Sequence, residues 1–309
     1  MTELAVILNP IKLGDDRDGL VEMVEKACAD RGWSAPLVLE TTAEDPGDGM
    51  VGEALRQGVR RILVCGGDGT VAACAGSLAR RAPYTEPDGG VGLGLLPFGT
   101  GNLLALNLGL PTKIDEALEV AVGDVGRRLD VLRTGDRGFV VMAGLGVDAA
   151  MMEETSEDLK DRIGWPAYVG GLMRALVRNR RVQYRVSIDG QPAQAWPAIG
   201  VLVANVGKLQ GGIDLVPDAQ PDDGTLDVLV LAPHGIRGWT TLIVDILRRR
   251  AGTSGVDRGA VIGRGRRVRV EASQPVACEF DGDATDATES LEIEVQPGAL
   301  WVYVTPTDA

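Results

Sequence analysis

The chain has 309 residues, of which 45% are hydrophobic and 24% charged, and its formal net charge at pH 7 is −13. This length fits two domains, and the hydrophobic content is sufficient for a sizeable core. The acidic balance argues against nucleic acid as the main partner, because duplex binding relies on clustered cations, and it disfavours broad adhesion to an anionic membrane.

The first part of the chain alternates between strand and helix patterns. Apolar runs predict strands over residues 4–8, 37–40, 61–65 and 91–96. Helical spacing of apolar residues predicts helices over 19–31, 50–57, 71–81 and 114–122. Strands separated by helices indicate an α/β domain over residues 1–126 with a parallel, Rossmann-like sheet. Such sheets bind ligands beyond the carboxyl ends of their strands.

A different pattern begins at about Arg127. Short strand patterns separated by turns follow over residues 128–133, 138–143, 183–188, 198–205, 226–231, 267–271 and 291–295. They predict a mainly antiparallel β-sandwich domain over residues 127–298. Two helical insertions are predicted near 156–180 and 237–250. A last strand over 299–305 is a candidate to return to the first domain.

Residues 66–70 read Gly-Gly-Asp-Gly-Thr and directly follow an apolar run. Glycines let backbone amides approach phosphate oxygens closely, and the N-terminus of the following helix adds a partial positive charge. Asp68 would repel a phosphate as a direct ligand, so we expect it to face a metal ion, a hydroxyl or a network that holds them. The motif indicates nucleotide phosphate chemistry.

Three further turns carry candidate chemistry. Residues 97–102 read Pro-Phe-Gly-Thr-Gly-Asn and form a second glycine turn, and two such turns on neighbouring strands could enclose one polyphosphate. Residues 221–227 place three carboxylates in one turn, which suits a hard cation such as magnesium. The acidic turn at 279–283 could hold a carboxylate near a substrate hydroxyl. Each pattern taken alone also occurs in ordinary turns.

Taken together, these motifs resemble the diacylglycerol kinase catalytic-domain family, which includes bacterial soluble lipid kinases. They appear in order along nearly the whole chain, from Asn9-Pro10 to Asp281-Gly282-Asp283. Gly-Gly-Asp-Gly is shared with NAD kinases and phosphofructokinases, whereas Pro-x-Gly-Thr-x-Asn and Pro-Asp-Asp-Gly narrow the resemblance. It implies a phosphofructokinase/NAD kinase-like first domain, followed by a β-sandwich that carries the lipid and metal sites.

The resemblance also implies roles for individual residues. The nucleotide site would be formed by Asn9, Thr41 (or its neighbour Thr42), Gly66, Gly67, Asp68, Gly69, Thr70, Val71, Ala72 and Thr100. Asp68 would in addition be needed for catalysis, through the metal–phosphate network. A structural magnesium would be bound by Gln220, Asp223 and Thr225, of which the first and last use main-chain oxygens. The proton acceptor would be Asp283.

Two positions depart from the family pattern. Asp283 replaces the usual glutamate and is one methylene shorter, and Leu103 stands where many members carry aspartate. The resemblance implies a magnesium- and ATP-dependent kinase of phospholipid biosynthesis, which transfers the γ-phosphoryl group to the hydroxyl of diacylglycerol or a related lipid. Two alternatives stay open: an NAD kinase-like or other small-molecule kinase, and a non-catalytic nucleotide-binding lipid sensor.

The remaining signals concern redox state, location and partners. The four cysteines form no Cys-x-x-Cys pair and are expected to be buried free thiols, and the single histidine, His234, excludes a His-rich metal site. Because no basic segment precedes the strand at 4–8, we expect a cytoplasmic protein without a signal peptide. Two basic amphipathic segments, at 162–181 and 236–250, fit core-facing stripes with solvated arginines, and alternatively at least one of them lines a lipid entrance at the inner membrane face. A homodimer is compatible with the sequence.

Overall fold

The computed structural model describes residues 3–83, 90–146, 181–209, 213–216, 219–233 and 261–306. The chain forms two compact units. The first comprises Met1–Val140, Pro221–Gly224 and Gln296–Ala309, and the second comprises Val141–Gln220 and Thr225–Val295. The helical insertions predicted near 156–180 and 237–250, together with His234, lie outside the described residues.

The first unit is built on a parallel sheet. Its first four strands are β1 (Leu4–Leu8), β2 (Leu37–Glu40), β3 (Arg61–Gly66) and β4 (Gly92–Pro97), in the spatial order β4-β3-β1-β2. Every residue of β1 and β3 is buried, as expected for continuous apolar runs in the middle of a parallel sheet. The register pairs Leu8 with Cys65 and Gly66 with Pro97, so the strands end at a common edge.

The described residues of this unit form six α-helices: α1 (Pro10–Leu13), α2 (Arg17–Asp30), α3 (Asp48–Arg56), α4 (Asp68–Arg81), α5 (Leu103–Asn107) and α6 (Ile114–Ala121). Helix α2 buries residues spaced three or four apart, in the same apolar cluster as β1 and α6. Helix α4 is rich in small residues and packs closely against the chain at Gly138. A Cβ at Gly76 would lie 2.7 Å from the carbonyl oxygen of Gly138.

The first unit also contains β5 (Gly126–Thr134) and β6 (Arg137–Phe139), which pair as an antiparallel hairpin. The end of the last strand of the chain pairs in parallel with β4, through Trp301 and Val302. Arg61 contributes to holding this chain end, because its buried guanidinium lies 3.8 Å from the ring centroid of Tyr303 and donates to the carbonyl of Ala121 at 2.8 Å.

The second unit is an antiparallel β structure. Its strands are β7 (Met142–Leu145), β8 (Val182–Ile188), β9 (Gln194–Ala198), β10 (Gly200–Ala204), β11 (Lys208–Leu209), β12 (Ile213–Asp214), β13 (Leu226–Leu231), β14 (Val261–Gly265), β15 (Arg267–Phe280) and β16 (Asp283–Tyr303), of which β16 continues into the first unit. Strand β8 alternates buried and exposed residues over its first five positions, the pattern of a sheet with one solvated face. The predicted fold class is therefore confirmed.

Two predicted strands need correction in length, and a third strand was not predicted. Strands β15 and β16 are far longer than the segments predicted at 267–271 and 291–295, because polar residues on their exposed faces and register shifts after Glu271 interrupt the apolar pattern. Strand β9 was missed because it contains Pro197. In the described sheet β9 pairs only with β8, and an edge position tolerates proline.

The four cysteines, Cys28, Cys65, Cys74 and Cys278, are free and buried, which confirms that prediction. Burial raises the pKa values of the Cys65 and Cys74 thiols far above the ordinary thiol value. Across the described ranges, no helix is both long and apolar enough to cross a membrane.

Candidate active site

The Gly-Gly-Asp-Gly-Thr motif connects β3 directly to α4. We predicted a helix from residue 71, but α4 begins at Asp68, because Gly67 acts as its N-cap with an extended backbone (φ −89°, ψ −174°). The N–H of Val71 donates to the carbonyl oxygen of Gly67 at 3.0 Å and closes the first turn. The preceding N–H groups have no acceptor within the helix, and the N-cap glycine has no side chain to cover them. Such a helix end attracts an anion.

The second glycine turn lies against the first. The N–H of Phe98 donates to the carbonyl oxygen of Gly66 at 3.2 Å. A Cβ at Gly99 would lie only 2.5 Å from the Cα of Gly67, so this contact requires glycine. Asn102 adopts a left-handed conformation (φ 44°), and its Oδ1 accepts the N–H of Gly99 at 2.9 Å. The structure thus places the two motifs side by side at the carboxyl edge of the sheet.

Asp68 links the two turns. Its Oδ1 accepts the backbone N–H of Leu103 at 2.6 Å, and its side chain is only partly buried. Leu103 stands where many family members carry aspartate, but its contact with Asp68 uses the main-chain N–H and could not be predicted from its side chain. A carboxylate held at the first turn of α4, beside both glycine turns, can orient a metal–phosphate assembly without touching phosphate itself.

Asn9 follows β1 and connects it to the glycine turn. Its Nδ2 donates to Oγ1 of Thr70 at 3.2 Å, and its Oδ1 accepts the N–H groups of Ile11 and Lys12 at 3.1 and 3.3 Å. Thr41 follows β2 at the same edge, where it is buried and donates its N–H to Leu8 at 2.9 Å. Asn9 and Thr41 were named from sequence motifs, but Asn9 contacts Thr70 in α4 and Thr41 contacts Leu8 in β1, and neither contact lies within the motif itself.

The other predicted nucleotide-site residues differ in exposure. Thr42 is exposed, and its Oγ1 accepts the N–H of Asp45 at 3.1 Å, within its own loop. Thr100 is also exposed, whereas Val71 and Ala72 are buried inside α4. The buried residues can therefore support the helix end, while exposed Thr100 and the partly exposed glycine turn can face a ligand.

A buried carboxylate, Asp130 in β5, holds the acidic turn at residues 221–224. Its Oδ2 accepts the N–H of Gly224 at 2.7 Å, its Oδ1 accepts the N–H of Gly298 at 2.7 Å, and its own N–H donates to Pro221 at 2.6 Å. Asp130 was not among the predicted site residues. The available signal was a carboxylate inside the otherwise apolar run at 129–132.

Asp130 is expected to make stability depend on pH. Burial raises the pKa of this carboxyl above its ordinary value of 3.8, the hydrogen bonds from Gly298 and Gly224 oppose that shift, and Asp223 and Asp222 add to it. Because the folded-state pKa exceeds the unfolded one, the native state binds more protons between the two values. The contribution of Asp130 is fully present below pH 3.8 and is lost as the pH rises through the folded-state pKa.

Urea unfolding of wild type and Asp130→Asn at several pH values tests this prediction. The asparagine cannot ionise and offers a single oxygen to two N–H donors, so we expect it to lower the free energy of unfolding by about 1–3 kcal/mol. That difference should shrink as the pH rises through the raised pKa. Asp136→Asn, in the exposed turn between β5 and β6, is the matched control. A difference that is independent of pH would contradict the prediction.

The predicted magnesium ligands lie in and beside this turn. Gln220 and Asp223 are exposed and Thr225 is partly buried, while Asp222 forms an ion pair with Arg127 at 2.6 Å. Within the described part of the chain, no group of three or more His, Cys, Asp or Glu side chains could hold a metal ion. The predicted set has one carboxylate and two main-chain oxygens, so it is not a cluster of that kind.

The acidic turn at 279–283 is the hairpin between β15 and β16. Asp281 and Gly282 both have positive φ, 51° and 90°, as in a type I′ turn. Asp281 is buried, and its Oδ1 accepts the N–H groups of Val141 and Met142 at 2.8 and 2.9 Å. Asp283 begins β16 and is exposed. Of these two aspartates, only Asp283 is accessible to a substrate.

Comparison with family models divides the chain into two matched regions. Residues 3–134 match the diacylglycerol kinase catalytic domain. Residues 140–304 match the YegS C-terminal NAD kinase beta sandwich-like domain.

Curated relatives match over nearly the whole chain. A probable lipid kinase YegS-like protein of Pseudomonas savastanoi pv. phaseolicola is 31% identical over 300 residues, covering 95% of this chain and 92% of the relative. A protein of the same description from Stenotrophomonas maltophilia is 30% identical over 307 residues, covering 97% and 95%.

Solved structures share the fold. A diacylglycerol kinase from Bacillus anthracis str. Sterne has a TM-score of 0.76 at 23% identity, covering 100% of this chain and 98% of that one. An NAD kinase from Archaeoglobus fulgidus in complex with ATP has a TM-score of 0.52 at 14% identity, covering 98% and 94%. At these identities the likeness concerns the fold alone.

The parallel α/β unit with its two touching glycine turns, together with the antiparallel unit, defines a protein of the diacylglycerol kinase and NAD kinase fold. The matches to both family models and to relatives of similar length agree with this class. The chain belongs to the family of YegS-like lipid kinases, and the resemblance inferred from its motifs is confirmed.

Proposed function

We propose that this protein is an ATP-dependent lipid kinase that phosphorylates the hydroxyl of diacylglycerol or a related lipid. The observation that carries the proposal is the contact between the two glycine turns at the N-terminus of α4. A Cβ at Gly99 would lie 2.5 Å from the Cα of Gly67, so only glycine lets the two turns pack together at this helix end, whose N–H groups attract phosphate oxygens. The matched NAD kinase structure contains ATP, which supports a nucleotide for this fold.

The nucleotide would be bound mainly by the backbone. In this proposal the N–H groups at the start of α4 face the phosphates, Asn9 and Thr41 line the same edge, and Thr100 contacts the nucleotide from the second turn. Asp68 organises the phosphates and their metal from its position beside Leu103. Catalysis of this kind depends on positioning and on electrostatic stabilisation more than on covalent chemistry.

Magnesium fits the oxygen donors of the turn at 220–225. Asp223 would provide a carboxylate, and Gln220 and Thr225 would provide main-chain oxygens, which are the ligands that hard cations prefer. Asp130 holds the backbone of this turn by accepting the N–H of Gly224 at 2.7 Å. When bound, the ion would stabilise the turn and offset its negative charge.

Asp283 is proposed as the proton acceptor. The lipid hydroxyl oxygen forms a bond to the γ-phosphorus of ATP, the bond from that phosphorus to the β-phosphate bridging oxygen breaks, and ADP leaves. The hydroxyl proton passes to the carboxylate of Asp283, which is exposed at the start of β16. The carboxylate is one methylene shorter than the usual glutamate, so its reach toward the hydroxyl differs.

A lipid acceptor is supported by the relatives named as probable lipid kinases. The test is a phosphorylation screen of a bacterial lipid extract with γ-labelled ATP and magnesium, read by product mass spectrometry. We expect a phosphorylated lipid with a glycerol-type hydroxyl. NAD, sugars and a sphingoid base are included as rival acceptors. Phosphorylation of NAD or of a sugar in place of a lipid would support a small-molecule kinase.

The non-catalytic alternative is separated by the same reagents. If ATP and lipid both bind but a single-turnover reaction yields no phosphorylated acceptor, the kinase proposal fails and a nucleotide-binding lipid sensor remains. The proposal also places the protein in the cytoplasm, where it would meet its substrate at the inner membrane face. It would act as a homodimer or as a monomer. Liposome flotation and sedimentation velocity of the full chain would measure these two properties.

A further inference from the structure

Lys12 is a basic residue anchored beside the glycine turns. It lies in α1, whose start is fixed by Asn9, because Oδ1 of Asn9 accepts the Lys12 N–H at 3.3 Å. The same side chain donates from Nδ2 to Thr70, in the first turn of α4, at 3.2 Å. One amide group therefore connects the backbone of Lys12 to the Gly-Gly-Asp-Gly-Thr motif.

Helix α1 and the second glycine turn also share one apolar cluster. Leu13, the residue after Lys12, is buried in an apolar cluster against which Phe98 of the second turn packs. Burial of Leu13 fixes the direction of this short helix. Lys12 itself is exposed, so its flexible side chain remains on the outer surface of the carboxyl edge.

The two basic side chains along this edge differ in whether they form an ion pair. The connections that follow β1 to β4, at residues 9–17, 41–48, 67–68 and 98–102, contain two cations, Lys12 and Arg17. Arg17 contacts Glu40 and Asp18, each at 2.7 Å. Lys12 has no carboxylate within 4.0 Å in the part of the chain that the structure describes, and its acidic neighbours Asp15 and Asp16 are exposed.

A nucleoside triphosphate carries several negative charges, which the backbone N–H groups of two turns only partly offset. An ammonium group on a four-carbon stem is a mobile point charge with three donors, suited to phosphate oxygens. We propose that Lys12 binds the phosphates of the nucleotide, an inference that rests on the proposed function and deepens it. Lys12 is thereby a nucleotide-binding residue additional to those that the motifs name.

Isothermal titration with a non-hydrolysable ATP analogue and magnesium tests this on the full chain. We expect Lys12→Gln to raise the Kd about tenfold, as for loss of a charge-assisted hydrogen bond, and to reduce the rise of Kd with added NaCl. Lys12→Arg keeps the charge and should retain most of the affinity. Lys26→Gln is the matched control, because Lys26 is also exposed but lies in the next helix, α2. This variant should bind like wild type.

Steady-state kinetics separate a phosphate-binding role of Lys12 from a purely structural one, because only the former changes the KM for ATP selectively. We expect Lys12→Gln to raise the KM for ATP while the KM for lipid stays unchanged. An analogue Kd within twofold of wild type would overturn the role of Lys12 while leaving the kinase proposal intact. If wild type binds no ATP analogue at all, the proposed function fails and this inference fails with it.

Discussion

Replacing Asp68 with asparagine is expected to lower kcat at least about a hundredfold, the size of effect seen when one electrostatic stabiliser is lost from an active site. Asparagine keeps the shape of the side chain and an oxygen that can accept the Leu103 N–H, now bonded at 2.6 Å. The fold should therefore persist, while the negative charge proposed to organise the metal and phosphates is lost. Initial rates with labelled ATP and the lipid identified in the screen would measure the effect.

Asp48→Asn is the matched control for that variant. Asp48 is also the first residue of a helix, α3, but its carboxylate is engaged by Arg80 and by Arg81, the latter at 2.7 Å. We expect its loss to lower thermal stability slightly and to leave turnover within about twofold, because partly exposed ion pairs contribute little. Wild-type turnover in Asp68→Asn would contradict the assignment of Asp68.

Replacing Asp283 with asparagine is expected to lower kcat by about a hundredfold to ten-thousandfold, the usual contribution of a general base. The amide cannot accept the hydroxyl proton, and Asp283 is exposed, so its loss should leave the hairpin folded. Asp283→Glu restores the residue that the family usually carries. We expect this variant to retain activity, because the carboxylate is preserved and only its reach changes.

Asp286→Asn provides the control for the proton acceptor, because Asp286 is exposed three residues further along β16. Its rate should match that of wild type. Binding of the ATP analogue should be unchanged in Asp283→Asn, since the defect lies in the chemical step. Equal rates for Asp283→Asn and wild type at saturating ATP and lipid would show that another group takes the proton.

Much of the fold could be predicted from sequence because its signals are local. The strands β1 and β3 are unbroken apolar runs, and their burial follows from composition alone. The start of α4 could not be predicted, because glycine and aspartate are weak helix formers and their place in the helix depends on Gly67 acting as an N-cap. The length of β15 and β16 was hidden because polar residues on an exposed strand face interrupt the apolar pattern.

In the candidate site, too, the features within one segment could be predicted from sequence and the contacts between segments could not. The residue types of the glycine turns already indicated phosphate chemistry, since each motif is continuous in the chain. Contacts between motifs are not encoded in any one segment. The approach of Gly99 to Gly67 and the hydrogen bond from Asn9 to Thr70 depend on the register of neighbouring strands. Lys12 and Asp130 carry no motif and became visible only through their surroundings.

The sequence by itself determined the family, the α/β and β-sandwich units, and the stretches that carry glycines and carboxylates. Only the tertiary structure decided which carboxylates are internal and which face outward. Asp281 and Asp130 accept backbone N–H groups inside the protein, whereas Asp283 and Asp223 are exposed. Aspartates look alike in a sequence, but their chemistry depends on burial and on donors brought from distant segments, and folding alone assembles those.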